Sequence, residues 1–383
     1  MSLFIGIEGV GLKHSVGVAA DRNGQIIAST RLVGQPISLH TTERHILHSR
    51  LKNLLKALSE QVGRNLDNLA DAVICIGLTG VTFPHDAEID LPNEFGQLNI
   101  KIKKLICTGD IEIAFASHAQ TNQGSGIICH MGSTAYVTTP TIRVRYGGWG
   151  PVLGDEGSGF WIGHAILRAI AEEYDSGRPT SPLWHKMDEW LQNPEKEYIP
   201  DWIGASFLWR RIRHEYCESD RIYDPRTSIF RFSHAMELQK DWQWRAVLSS
   251  LTIPLQKLWE AGDTVATQIW NSAANHLAHQ YASALKRIDR KSELGPLVLY
   301  GGVLTHNKKF RNLLIKKLSN KRILPRNILF PGTPGTMRPA CGALLFAIGN
   351  SDTRNLRLPS RHLINLIANV QSDLHVKGNL RND

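Results

Sequence analysis

Gly147-Gly-Trp-Gly-Pro-Val-Leu-Gly-Asp-Glu-Gly-Ser-Gly159 decides how this chain reads. Six of these 13 residues are glycine, and the stretch runs straight into an apolar helical segment from Phe160 to Ala171. Glycine at that density lets the backbone take positive φ and approach a ligand closely. Trp149 adds a flat apolar wall. Asp155 and Glu156 put negative charge at the mouth of a helix, where it suits the dipole. From these residues alone the stretch is either a ligand-gripping loop or a glycine-rich turn with a capping box.

Working outward, 383 residues exceed one ordinary core and fit two domains. A hydrophobic share of 42% and a charged share of 21% are those of a globular protein. No apolar run reaches 18 residues, and Met1-Ser2-Leu3 leads directly into a strand, so the expectation is a cytoplasmic protein without a membrane span. The five cysteines are scattered without a CxxC pair, and the 16 histidines have no tight ligand spacing. Neither a disulfide framework nor a structural metal is expected. The net charge of +9 comes from short basic clusters such as Lys101, Lys103 and Lys104, with no nucleic-acid-binding motif beside them. A positive field of that kind also serves an anionic nucleotide.

Taken in order, Leu3–Glu8 reads as a buried strand, followed across Glu8-Gly9-Val10-Gly11-Leu12-Lys13 by strands Ser15–Ala20 and Ile26–Thr30. Asn23-Gly24 is the hairpin turn between the latter two. Thr41–Val62 has the spacing of an amphipathic helix. Strands follow at Ala72–Gly80 and Lys104–Thr108, the second ending at Gly109-Asp110 and a helix over Ile111–His118. An acid at the carboxyl end of a strand is where open α/β sheets place their ligand chemistry, though Asp110 also suits a helix N-cap. Gly124–Ser133 is a strand and turn, and Tyr136–Arg145 a hairpin. Six of the ten tryptophans lie between Trp184 and Trp244, which reads as aromatic packing, a cover over a cleft or a homodimer surface. Helices over Trp244–Glu260 and Asp263–Ile288 lead to a strand at Leu297–Tyr300, the pair Gly301-Gly302 and a helix from about Asn307. A strand at Asn327–Phe330 and an apolar helix from Pro339 to Ile348 complete the pattern.

Gly-Gly-Trp-Gly-x-x-x-Gly-Asp-Glu-Gly-Ser-x-x-Trp-Ile, over 147–162, resembles the hexosamine-kinase signature of the N-acetylglucosamine kinases in the wider BadF/BadG/BcrA/BcrD ATPase family. Weaker motifs extend the resemblance from Ile5 to Ala347. It implies an α/β fold of two RNase-H-like, actin-like lobes with a nucleotide and sugar cleft between them. The first lobe would span 1–118, with a hinge near 118. The second would span 119–349 with a helical insertion over 176–240, and 350–383 would be a polar tail with a short helix.

The activity implied is ATP-dependent phosphorylation of a hexosamine such as N-acetylglucosamine or glucosamine, with Mg²⁺. Asp110 matches the catalytic aspartate. Glu8, Gly9, Gly11 and Lys13 match the first phosphate loop, with Glu8 orienting Mg²⁺ through water. Gly132 and Ser133 match the second, and Gly301 and Gly302 the adenosine motif. Gly148, Trp149, Asp155 and Gly159 match sugar-contacting positions. Ser38 and His40 are the polar residues nearest the place where the family presents an asparagine to the sugar. The chain departs from the pattern at Val10 and Leu12, which replace a glycine and a threonine, and at His130-Met131, which replaces Gly-Thr. Two other readings are a sugar or nucleotide sensor on the same fold and an ATPase activator of an iron–sulfur dehydratase. Dispersed cysteines disfavour the activator.

Overall fold

The computed structural model describes residues 3–9, 14–33, 37, 44–78, 81, 96–121, 123–139, 142–177, 181–186, 243–288, 295–333 and 337–349. The tail over 350–383 and nearly all of the expected insertion over 176–240 lie outside these residues.

Among the described residues, ten strands form two five-stranded sheets of identical topology. The first holds β1 (Phe4–Gly9), β2 (His14–Ala20), β3 (Ile26–Val33), β4 (Val73–Leu78) and β5 (Lys104–Gly109), in the order β3-β2-β1-β4-β5. The second holds β6 (Gly124–Cys129), β7 (Ser133–Thr138), β8 (Arg143–Gly147), β9 (Leu297–Tyr300) and β10 (Ile328–Leu329), in the order β10-β9-β6-β7-β8. In each sheet a three-stranded antiparallel meander continues into two parallel strands. β1, β4 and β6 are buried along their whole length. Unbroken runs of apolar and small residues are what central strands covered on both faces require. The two strand–turn–strand openings at Glu8 and His130 therefore occupy equivalent places in two RNase-H-like lobes.

Among the described residues, the principal α-helices are α1 (Arg44–Gln61), α2 (Asp110–Ala119), α3 (Gly150–Leu153), α4 (Gly159–Asp175), α5 (Gln243–Ser250), α6 (Thr252–Glu260), α7 (Thr264–Leu285), α8 (Gly302–His306), α9 (Lys308–Asn320) and α10 (Pro339–Gly349). α1 buries Leu47, Leu51, Leu54, Leu55 and Leu58 against Ile5, Ile7, Ile74 and Ile76 of the first sheet. Each such side chain contributes about 1.5–3 kcal/mol. The opposite face is covered by α10 and α2, where Ala340 and Leu344 meet Ile113, Val73 and Phe4. α7 and α4 cover the second sheet, packing Trp270, Leu277, Tyr281, Ile162 and Ile166 on Ile127 and Val137. On the other face of that sheet Ile111 of α2 packs with Ile128 and Tyr136. α2 thus stands between the two sheets, and its first residue is Asp110.

Three differences from the sequence expectations have local causes. The helix expected over Trp244–Glu260 is two helices broken at Leu251. Pro254 has no N–H, and its ring opposes the carbonyl four residues earlier. Asp110 is the first helical residue, with Gly109 in the cap position, so the N-cap alternative does not hold. α10, expected in the second lobe, packs on β1 and α2. A methyl at Gly6 would strike the Ala340 carbonyl and one at Gly342 the Ile113 carbonyl, so these elements meet backbone to backbone. Asp263 does cap α7, accepting from Ala266 N at 2.7 Å, as its position predicts.

Candidate functional site

β1 and β5 are parallel neighbours of β4, so their carboxyl ends deliver Glu8 and Asp110 to the same edge of the first sheet. Glu8 is 7% exposed, and its Oε2 accepts from Ala340 N at 3.3 Å. Burial pushes its carboxyl up to about 7, against the pull of Arg338 and Arg31 and with a further push from Asp110. Asp110 is partly exposed, and its Oδ1 accepts from Ile111 N at 2.9 Å. Glu112, two residues further along α2, is also raised, first by burial, and faces Arg143 of the second lobe electrostatically. Tyr300 at the end of β9 brings the second lobe to the same place. Its hydroxyl is pushed well above its ordinary value by burial, then by Glu8 and Asp110. Glu8, Asp110, Arg31, Arg338 and the partly buried Tyr300 therefore meet where the lobes join.

The second sheet builds the other half. The β6–β7 turn is tight, with His130 N donating to Gly132 O at 2.9 Å. Asp155, in the left-handed region at φ 64°, turns its carboxylate under this turn. Oδ1 accepts from Ser133 N at 3.2 Å, and Oδ2 meets Arg245 Nη2 at 2.6 Å. Asp155 is 3% exposed, and burial outweighs Arg245 in raising its carboxyl. Ser133 Oγ donates to Glu156 O at 2.7 Å, while Gln280 Nε2 donates to both Ser133 Oγ and Glu156 O. Gly159 N donates to His130 O at 2.8 Å and opens α4. The Gly147–Gly159 stretch is thus bonded directly to the turn expected to face phosphate.

Gly148 has φ 72°, with Arg145 Nη2 donating to its carbonyl at 2.9 Å. Trp149 beside it is 75% exposed, the open wall the sequence suggested. Gly9 closes β1, where a methyl would meet the Ile37 carbonyl. Gly301 has φ 112°, and a methyl there would strike the backbone of Cys129, while Gly302 N donates to His130 Nδ1 at 3.1 Å. Gly11, Lys13, Ser38 and His40 lie outside the described residues. The sequence reading did not single out Arg31, Arg338, Arg245, Tyr300, Glu112 or a role for His130. Arg338, directly before Pro339, and Tyr300, directly before Gly301, were open to notice because they flank motifs. Arg31 and Arg245 carried no local signal.

Among the described residues no group of three or more His, Cys, Asp or Glu could hold a metal ion by itself, and no helix is long and apolar enough to cross a membrane.

The chain is similar to N-acetyl-D-glucosamine kinase of Dictyostelium discoideum, 29% identical over 360 residues that cover 91% of this chain and 98% of that protein. It is similar to N-acetylmuramic acid/N-acetylglucosamine kinase of Clostridium acetobutylicum, 28% identical over 328 residues, 83% of this chain and 93% of that one. In structure it matches a candidate N-acetylglucosamine kinase from Chromobacterium violaceum with a TM-score of 0.59 at 16% identity, over 91% of this chain and 99% of the other. That likeness carries the two-lobed fold. The doubled sheet, the acids at its first edge and the glycine turns at its second all fall inside residues 5–347, which match the model of one family, and on that match the chain belongs to the BadF/BadG/BcrA/BcrD ATPase family.

Proposed function

We propose that this protein is an ATP-dependent sugar kinase acting on a hexosamine such as N-acetylglucosamine or glucosamine. The observation that carries the reading is the placement of Asp110, at the first turn of the helix packed between both sheets and electrostatically coupled to Glu8 and Tyr300. The activities of the two named relatives support it. Phosphoryl transfer asks a protein mainly for positioning and charge stabilisation. Asp110 would accept the proton of the attacking sugar hydroxyl as general base. Gly148, Trp149 and Gly159 would form the sugar side with Ser38 and His40. Asp155 would take a ring hydroxyl as a third donor, since a carboxylate has room beyond Ser133 N and Arg245. Gly9, Gly11, Lys13, Gly132 and Ser133 would line the phosphates, and Gly301 and Gly302 the adenosine. A cytoplasmic location goes with the use of ATP.

Magnesium fits the same corner. Glu8 is a buried carboxylate whose ionisation burial opposes, so a nearby cation would favour its charged form. Mg²⁺ keeps several waters and needs only one or two carboxylates beside the phosphates. Glu8 would hold it through water, and when bound it would neutralise phosphate oxygens.

One observation favours a sensor instead. The Ser133 amide, expected to face phosphate, already donates to Asp155. Asp110→Asn separates the readings, with phosphorylation assayed over a panel of hexosamines with Mg-ATP. As a kinase the protein should lose roughly 10²–10⁴-fold in kcat while sugar affinity stays within about twofold. Equal loss of binding and turnover would make Asp110 structural. An unsubstituted protein that binds sugar and transfers no phosphoryl group would be the sensor.

A further inference from the structure

The family pattern has a glycine where this chain has His130, and a glycine has no side chain to contribute. Here the backbone amide, the backbone carbonyl and ring Nδ1 of His130 are engaged. The amide donates to Gly132 O, the carbonyl accepts from Gly159 N, and ring Nδ1 accepts from Gly302 N at 3.1 Å. The ring also stands edge-on to Tyr300, with centroids 5.4 Å apart and planes 78° apart. Tyr300 makes a similar contact with His118 of α2 on its other side, at 5.3 Å. Gly302 is the first residue of α8, and an amide in that first turn has no acceptor within its own helix. His130 supplies one from 172 residues away along the chain. The bond requires a bare Nδ1, which places the proton of the neutral ring on Nε2.

We propose that His130 is a positioning residue for the nucleotide. Its imidazole ties the β6–β7 turn to the Gly301–Gly302 turn, so that the phosphate-facing and adenosine-facing turns of the second lobe hold one spacing. This rests on the kinase reading for the assignment of the two turns. It also gives the departure at His130 a purpose. Met131 brings no hydroxyl to the phosphates, and the clamp beside it fixes the remaining backbone amides in place. Fixing such groups before the ligand arrives lowers the ordering cost of binding. The effect falls on the nucleotide and not on the sugar, because the ring contacts β9 and α8, whereas Trp149 and Gly148 lie beyond β8.

Asparagine places a side-chain oxygen near the position of Nδ1, and glutamine places its amide near Nε2. The test compares His130→Asn, His130→Gln and His130→Phe, measuring KM for ATP, KM for the sugar, kcat and melting temperature. The expected result is an ATP KM about tenfold higher in the Gln and Phe variants, a sugar KM within about twofold, and most of the ATP affinity kept by Asn. Should the Phe variant not fold, the Asn and Gln pair carries the same comparison. An ATP KM unchanged in Gln, or ATP and sugar KM rising together as melting temperature falls, would overturn the proposal. If the unsubstituted protein transfers no phosphoryl group, the kinase reading has failed separately. Calorimetric affinity for Mg-ATP across the same variants then decides the role of His130, and an unsubstituted protein that binds no Mg-ATP overturns it.

Discussion

Removing Arg245 tests whether the glycine-rich stretch is held by a buried charge pair. Arg245 Nη2 and Asp155 Oδ2 lie 2.6 Å apart, with side-chain exposures of 10% and 4%. Burial raises the Asp155 carboxyl despite Arg245 and lowers the Arg245 guanidinium despite Asp155, so from both sides desolvation exceeds the attraction. Such a pair adds little net stability, yet breaking it strands a charge at a cost of about 3–5 kcal/mol. Arg245→Met should therefore lower unfolding stability in urea by about that amount at pH 8. The lone Asp155 would then bind a proton more tightly when folded than when unfolded. Stability from such a group is complete below the unfolded value of 3.8 and lost as pH rises through the higher folded value. The penalty of Arg245→Met should accordingly shrink by about 1.4 kcal/mol per pH unit on acidification through that folded value. Asp155→Asn, which tolerates the left-handed backbone and still accepts from Ser133 N, should recover much of the loss in the double variant. A cost below about 1 kcal/mol, a penalty that ignores pH, or single costs that simply add would refute the account.

Trp149→Ala should weaken sugar binding more than ATP binding, since its exposed ring belongs to the sugar side of the proposed cleft; isothermal titration with each ligand checks this, and a fall in nucleotide affinity alone would reverse the orientation of the site. Leu12→Thr with Met131→Thr should lower the ATP KM in steady-state kinetics without changing which sugar is preferred. A change of sugar preference would mean that these positions do not face phosphate.

Much of the architecture was written locally. A strand such as Leu297–Tyr300 is bounded by its own apolar run and the glycines after it, and the structure reproduces both ends. Asp263 caps the helix it precedes because an N-cap bond spans only three residues. Pro254 could have announced the break at Leu251, but the apolar spacing continues across it and hid the signal.

The composition of the site belonged to tertiary structure. Ser133 could be recognised as a turn residue, whereas the use of its amide by Asp155 depended on folding a loop 22 residues later beneath the turn. Arg31 and Arg338 reach Glu8 from the far edge of one sheet and the start of α10, and Arg245 reaches Asp155 across 90 residues. Sequence periodicity records which face of an element is buried, because burial repeats along that element. A single hydrogen bond or ion pair between distant segments repeats nowhere. The order of strands and helices was therefore legible in the chain, while the partners of Glu8, Asp155 and Gly302 were decided only when the two sheets closed around α2 and brought those segments together.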